Sequence, residues 1–166
     1  MNSLIDWLAL VIDKLLLKIK ARAMQRRLTM YPHIHSSVMI GSNSKLVGPC
    51  NNFIIGEGTY INDAMLVAGE HAKVTIGKNC AIAYRVSIKA ESHDVYDPCP
   101  DESGKVRQIE NDIHIGDSCW IGDNAFIKEG VSIGNNVVVG ANSCVTKSFP
   151  NNVVLAGVPA AIISKK

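Results

Sequence analysis

An aliphatic residue returns every six positions through the C-terminal half of this chain of 166 residues. Neither an α-helix, with its period of 3.6, nor an exposed strand, with its period of two, produces such a spacing. A short strand followed by a tight turn does, and three such units close a triangular coil of about 18 residues. The repeating residues are Ile115, Ile121, Ile127, Ile133, Val139 and Val145. Their spacing predicts a stack of such coils.

The residues between these positions suit the corners of a triangular coil. Gly follows four of the repeating aliphatic residues, and Asn and Asp cluster between them. These residue types tolerate the unusual φ values of tight turns. The chain is 47% hydrophobic but only 5% aromatic, so Ile, Val and Leu must fill each layer of the core. The sequence therefore predicts an all-β repeat fold of about five coils over residues 31–163.

The same repeat runs earlier in the chain, with interruptions. It includes Ile40, Leu46, Ile55, Ile61, Val67, Ile76, Ile82 and Ile88. The next aliphatic residue assigned to the repeat after Ile88 is Ile109, a step of 21 residues instead of six, so we expect a loop at residues 89–108 to leave the repeating body. Long loops in compact repeats are usually functional.

Charge and cysteine content narrow the class of protein further. The formal net charge of +2 argues against a dedicated nucleic-acid binder. Five cysteines are an odd number, and no CxxC pair is present. The first residues carry no basic stretch ahead of their apolar run, as a secretory signal would. These features predict a cytoplasmic protein with reduced thiols.

Residues 1–30 form a separate N-terminal segment. They hold six basic and two acidic residues, a net charge of +4, whereas the rest of the chain carries −2. Apolar residues at helical spacing predict an amphipathic helix over residues 3–28. Its charges keep each apolar run shorter than a membrane span. Two interpretations stay open: the helix packs on the body or a neighbouring subunit, or it lies on a membrane surface. The last residues, 164–166, are predicted to be a basic tail.

Five linked segments of the C-terminal half carry a family resemblance. They are Asp117-Ser-Cys-Trp-Ile-Gly-Asp-Asn124, Gly130-Val-Ser-Ile-Gly134, Val139-Gly-Ala-Asn-Ser143, Val145-Thr-Lys147 and Ala156-Gly-Val-Pro159. In this order they resemble the C-terminal signature of galactoside, maltose and surface-polysaccharide O-acetyltransferases, which are hexapeptide-repeat acyltransferases. The resemblance covers about residues 33–163. It implies a left-handed parallel β-helix, an acetyl-CoA co-substrate, a saccharide acceptor and a homotrimer with active sites between subunits.

The ejected loop carries a catalytic histidine in that family, and the matching residue is His93. Transfer of an acetyl group to a hydroxyl needs a base, and histidine titrates nearest to neutral pH. A flanking carboxylate would orient the imidazole, and we rank Glu91 before Asp97. The resemblance further suggests Asn62 and Asp94 as contacts to the acceptor.

The resemblance also assigns residues to the cofactor. Trp120 matches a position along the pantetheine arm of coenzyme A, and Gly140 and Ala141 match the coil face that hydrogen-bonds the pantetheine amides. Thr146 and Lys147 match the segment near the nucleotide end. Ala161 stands where many members carry a basic residue, so Lys165 and Lys166 are alternative partners for the phosphates.

Three other functions remain as alternatives. The same fold supports N-acetylation of an amino sugar, a zinc-dependent carbonic anhydrase and a scaffold without catalytic activity. The five histidines lack the spacing of the anhydrase zinc ligands, so no metal is expected.

Overall fold

A computed structural model of the protein describes residues 2–94, 96–97, 99–104 and 106–166, with side chains from Ile5 onward. The chain begins with helix α1 (Asn2–Leu28), and a short 3-10 turn follows at Cys50–Asn52. All other regular elements are strands. In chain order they are β1 (Met39–Ile40), β2 (Lys45–Val47), β3 (Phe53–Ile55), β4 (Tyr60–Ile61), β5 (Met65–Val67), β6 (Val74–Ile76), β7 (Ala81–Ile82), β8 (Ser87–Lys89), β9 (Glu91–His93), β10 (Gln108–Glu110), β11 (Ile113–Ile115), β12 (Trp120–Ile121), β13 (Phe126–Ile127), β14 (Ser132–Ile133), β15 (Val138–Val139), β16 (Cys144–Val145), β17 (Val153–Gly157) and β18 (Ala160–Lys165).

Three sheets form the faces of a prism. The first face contains β3, β6, β11 and β14, the second contains β1, β4, β7, β12, β15, β17 and β18, and the third contains β2, β5, β8, β13 and β16. Neighbouring strands are parallel, except where β18 returns against β17. Consecutive strands of the chain pass from one face to the next, as a strand-and-turn repeat requires. The prediction of stacked parallel strands with an N-terminal helix is confirmed.

The repeating aliphatic residues stack inside the prism, except on β5, where the buried residue is Leu66 and not the predicted Val67. Ile61, Ile82 and Ile121 are paired in register on the second face, and each is at most 1% exposed. Burial of one such side chain is worth about 1.5–3 kcal/mol. The six-residue period therefore stabilises every layer in the same way.

The corners use the residues that the sequence indicated. Asn79, Asn124, Asn136 and Asn142 have φ values between 53° and 60°, in the left-handed region that Asn adopts at low cost. Gly116 is required for a different reason. A Cβ at this position would lie 2.8 Å from backbone atoms of the next coil, so no larger residue fits.

A β-hairpin interrupts the stack between β8 and β11. Strands β9 and β10 pair antiparallel, with His93 opposite Gln108 and Glu91 opposite Glu110. Ile109 therefore lies in this hairpin and not at a repeating core position. Lys89 still belongs to the body, and the excursion runs to Glu110, so its bounds differ from the predicted 89–108. The Asn111 N–H donates to the Ala90 carbonyl at 3.0 Å and closes the hairpin at its base.

The chain ends in a second antiparallel pair. Residues 164–166, predicted as a basic tail, instead complete β18 and its edge. The Lys166 N–H donates to the Asn152 carbonyl at 2.9 Å, and its Nζ donates to Asn136 at 2.9 Å. The backbone pairing with β17 fixes this segment, and composition alone does not reveal such pairing.

Helix α1 is attached to the body by its last turns. Met24 is buried, Leu28 packs against the core, and Arg27 donates to the Leu46 carbonyl at 3.2 Å. The described side chains from Ile5 to Ala23 are all exposed. Within the described part of the chain, no helix is long and apolar enough to cross a bilayer.

Candidate active site

The hairpin presents the predicted base on its surface. His93 ends β9 and is exposed, and residues at alternate positions of a strand point to the same side. Glu91 therefore lies on the same side of the hairpin as His93. Among the described residues, no hydrogen bond or ion pair joins the His93 imidazole to Glu91 or Asp97.

Asp94 is engaged in holding the loop. Its carboxylate lies 3.5 Å from the Arg107 guanidinium and accepts the Tyr96 N–H at 2.9 Å. Its own N–H donates to the Arg107 carbonyl at 2.9 Å, and its carbonyl accepts the Asp97 N–H at 3.3 Å. These contacts fix the chain directly after His93. The Asp97 side chain remains exposed.

A groove on the second face brings three of the predicted cofactor residues together. Trp120, Gly140 and Ala141 line a volume of about 330 Å³. Trp120 is 56% exposed, so much of its side chain is open to a ligand. The other lining residues are Ala83, Gly122, Asp123, Val138 and Val139. A partly apolar groove of this kind suits an extended chain such as pantetheine.

Sequence reasoning missed Ala83 and Asp123, which also line this groove. Ala83 lies one strand before Gly122 on the same face, and its N–H donates to the Ile121 carbonyl at 2.9 Å. Asp123 accepts the Tyr84 N–H at 3.0 Å. The repeat itself could have revealed both residues, because positions that follow the same inward aliphatic residue stack on each other.

Asn62 lies on the same ladder but outside the groove. Its N–H donates to the Ile82 carbonyl at 2.8 Å, and it is half-buried. One strand separates it from β12, so its backbone is about 10 Å from Gly122. The structure therefore places Asn62 on the face of the groove without bringing it to Trp120.

Thr146 and Lys147 occupy a different corner. They follow β16 on the third face, both are exposed, and the Lys147 Nζ lies 5.7 Å from the centre of the Phe149 ring. The hairpin leaves the body at the corresponding corner of an earlier coil, between the third and first faces.

Within one chain, the predicted site residues thus fall into two groups. His93 and its neighbours project from the corner between the third and first faces, whereas Trp120 and the groove lie on the second face. Among the described residues, no hydrogen bond or ion pair joins the two groups. A reaction that used both would need a neighbouring subunit to bring them together.

The described residues contain no group of three or more His, Cys, Asp or Glu side chains placed to hold a metal ion.

Comparison with known proteins agrees with this architecture. Residues 112–147 match the family described as bacterial transferase hexapeptide (six repeats). The galactoside O-acetyltransferase of Escherichia coli (strain K12) is 39% identical over 113 residues, which are 68% of this chain and 54% of that protein. The polysialic acid O-acetyltransferase of Escherichia coli O1:K1 / APEC is 37% identical over 134 residues, covering 77% of this chain and 43% of that protein.

A solved structure covers more of the molecule. A galactoside acetyltransferase in complex with coenzyme A superposes with a TM-score of 0.61 and 30% identity, over 90% of this chain and 82% of that chain. This likeness implies that the stack of parallel strands is a left-handed β-helix. The protein belongs to the hexapeptide-repeat transferases, so the family predicted from sequence is confirmed. The chain spans about half of the length of the curated relatives it matches.

Proposed function

We propose that this protein transfers an acetyl group from acetyl-CoA to a hydroxyl group of a saccharide. The observation that carries the proposal is the likeness to a galactoside acetyltransferase holding coenzyme A, which extends over 82% of that chain. Both curated relatives named above act, by their names, on saccharide hydroxyls. An exposed histidine on an ejected hairpin and an open groove beside Trp120 are consistent with this chemistry.

The proposed mechanism is direct transfer with His93 as general base. His93 takes the proton of the acceptor hydroxyl as its oxygen forms a bond to the acetyl carbonyl carbon. The tetrahedral intermediate then collapses, the carbon–sulfur bond breaks, and the His93 imidazolium returns its proton to the departing sulfur, so coenzyme A leaves as the thiol. Backbone N–H groups at the coil corners are candidates to stabilise the oxyanion. No step requires a metal.

Glu91 is the preferred partner of the His93 imidazole, ahead of Asp97. It shares a side of β9 with His93, whereas the Asp97 side chain lies beyond the turn. A carboxylate in that role would hold one tautomer and stabilise the imidazolium. Asp94 and Asn62 stay assigned to the acceptor, with Asp94 also fixing the loop through Arg107.

Cofactor binding is assigned to two surfaces. Trp120, Gly140 and Ala141 would hold the pantetheine arm in the groove of the second face. Thr146 and Lys147 would lie near the nucleotide end, and the exposed Lys147 ammonium offers a charge for the phosphates. Lys166 is a weaker alternative because its Nζ already donates to Asn136.

We propose a homotrimer whose active sites lie between subunits. The separation of His93 from the groove within one chain supports this arrangement, since a neighbouring copy can place its groove beside the hairpin. The order of strands on the three faces supports about five coils per subunit. We also propose a cytoplasmic location, since the cysteines among the described residues are free thiols.

The test is release of coenzyme A from acetyl-CoA in the presence of a panel of sugars. We expect turnover with a galactoside, a maltose-type or a sialic-acid acceptor, and a product that hydroxylamine cleaves as an ester. Turnover only with glucosamine, giving a product that hydroxylamine leaves intact, would instead establish N-acetylation. Failure to bind acetyl-CoA in calorimetry would favour the scaffold.

A further inference from the structure

Helix α1 leaves an unusually large apolar surface without a partner. The described side chains from Ile5 to Ala23 are all exposed, a length of about 28 Å. Trp7 is 58% exposed and Leu15 is 56% exposed. Exposed contiguous apolar patches of this kind mark interaction surfaces.

The exposed apolar residues are concentrated on one side of α1. At 3.6 residues per turn, seven of the exposed apolar side chains between Ile5 and Ile19 project within an arc of roughly 140° around the helix axis. Asp6, Asp13 and Lys20 follow each other at intervals of seven and form a polar strip outside that arc. Trp7 lies about 40° beyond one edge of the arc, whereas Leu10 and Leu17 project from the opposite side of the helix, next to the polar strip. The set within the arc is Ile5, Leu8, Val11, Ile12, Leu15, Leu16 and Ile19.

Basic residues continue the apolar arc toward the body. Arg22 follows Leu15 by seven residues and Arg26 follows it by eleven, so both project within about 20° of the Leu15 direction. Both are exposed. The arc therefore changes along its length from apolar to cationic, and the N-terminal 30 residues carry a net charge of +4.

The apolar and cationic parts of the arc distinguish between two possible binding partners, other copies of α1 and a lipid bilayer. A bundle of α1 helices from several copies would bring the cations Arg22 and Arg26 of each copy together along with the apolar residues, which costs free energy. An anionic bilayer can bind both ends of the arc. The apolar side chains would be buried at the boundary of the acyl chains, and the Lys and Arg cations would pair with the anionic headgroups.

We propose that α1 lies on an anionic lipid bilayer, with the Ile5–Ile19 arc embedded at the headgroup boundary and Arg22 and Arg26 on the lipid phosphates. The last turns of α1, held by Met24 and Arg27, attach the β-helix to that surface. The β-helix is then held next to the membrane surface. This inference is independent of the proposed acetyl transfer.

The test is co-sedimentation of the full chain with vesicles of phosphatidylcholine alone or with roughly one third phosphatidylglycerol. We expect pelleting with the anionic vesicles and little with the neutral ones. Leu15→Glu should lower the partition coefficient at least about tenfold, because it places a charge at the boundary. Lys20→Gln changes the net charge equally but lies on the polar strip, so it should retain most of the binding. Arg22→Gln combined with Arg26→Gln should weaken binding to anionic vesicles by roughly tenfold or more.

Three outcomes would overturn the proposal. The first is absence of pelleting with either vesicle type, and the second is equal pelleting with both. The third comes from light scattering in the absence of lipid. If Leu15→Glu changes the association state of the protein there, α1 packs on other copies of the chain. Far-UV circular dichroism of each variant checks that the β-helix is intact.

Discussion

At the scale of single residues, side chains of the same type lie in different surroundings in this protein. His93 and His35 are both exposed, but His93 lies on a hairpin, whereas His35 is hydrogen-bonded to the Ser37 hydroxyl at 2.9 Å on the first coil. Cys80 and Cys119 are buried at stacked positions, whereas Cys99 is exposed on the hairpin loop. The environment of each side chain, and not its type, separates a candidate for reaction from a packing residue.

The first prediction concerns the proposed base. His93→Ala should lower kcat by roughly 10²–10⁴-fold, because a positioned general base contributes that much to the rate. The Michaelis constant for acetyl-CoA should change little, since His93 is assigned to the acceptor hydroxyl and not to cofactor binding. His35→Ala removes a histidine far from the hairpin and should retain turnover. If His93→Ala retains most of its activity, the base has been assigned to the wrong residue.

The second prediction concerns the thiols. The hydrogen bond with the Cys119 thiol, together with burial, raises the pKa of the Cys80 thiol above its ordinary value. Its Sγ also donates to the Gly116 carbonyl at 3.1 Å. Because the thiolate is the reactive form, iodoacetamide should modify Cys99 rapidly and Cys80 only after denaturation. Peptide mass spectrometry after timed labelling measures this order. Rapid labelling of Cys80 in the native protein would contradict the stacked arrangement.

At the scale of elements, the hairpin is an addition to a continuous body. Ala90 and Asn111 are joined by a backbone hydrogen bond of 3.0 Å, and the stack resumes directly at β11. The body gains one further contact from the excursion, since Glu110 accepts the His71 N–H at 2.6 Å. We therefore expect that the hairpin with His93 can be removed without unfolding the parallel strands of the β-helix.

The third prediction follows from this separation. Replacement of residues 91–110 by Gly-Gly should abolish acetyl transfer and leave the β-helix folded. The free energy of unfolding should fall by about 1 kcal/mol, the value of one lost hydrogen bond. Urea unfolding followed by circular dichroism measures the change. Collapse of the cooperative transition would mean that the hairpin is part of the folding core. The deletion of three residues within the stack, 121–123, is the matched control and should unfold the chain.

At the scale of the whole molecule, the two groups of proposed site residues are separate within one chain. The hairpin and the groove lie on different parts of the prism, so the proposed chemistry needs two copies. In a closed trimer each interface would combine the hairpin of one subunit with the groove of its neighbour.

The fourth prediction tests that arrangement by complementation. Trp120→Ala and His93→Ala homotrimers should each have little activity. Mixed trimers refolded from equal amounts should recover roughly a quarter of the wild-type rate, because one interface in four then pairs an intact His93 with an intact Trp120. Acetyl-CoA turnover of the mixture against the separate variants measures this recovery. Absence of recovery in verified mixed trimers would place both residues in a site within one subunit.

The sequence by itself determined the repeating body of this protein. A six-residue period requires an inward aliphatic residue on every short strand, and Asn at the corners fits the left-handed φ values, so Ile121 and Asn124 could be assigned from spacing alone. The motif around His93 and Trp120 identified the family and the candidate residues. These are local properties, because each depends on residues close together in the chain.

Only the tertiary structure decided how the separate pieces are arranged. Ile109 fits the repeat by type but pairs with Ser92 in the hairpin, and Lys166 lies against Asn136 instead of in a tail. Spacing does not reveal antiparallel pairing, because the hydrogen-bonded partners lie far apart in sequence. It also does not reveal that one chain keeps His93 away from the groove, since that separation depends on which corner of the prism each segment occupies.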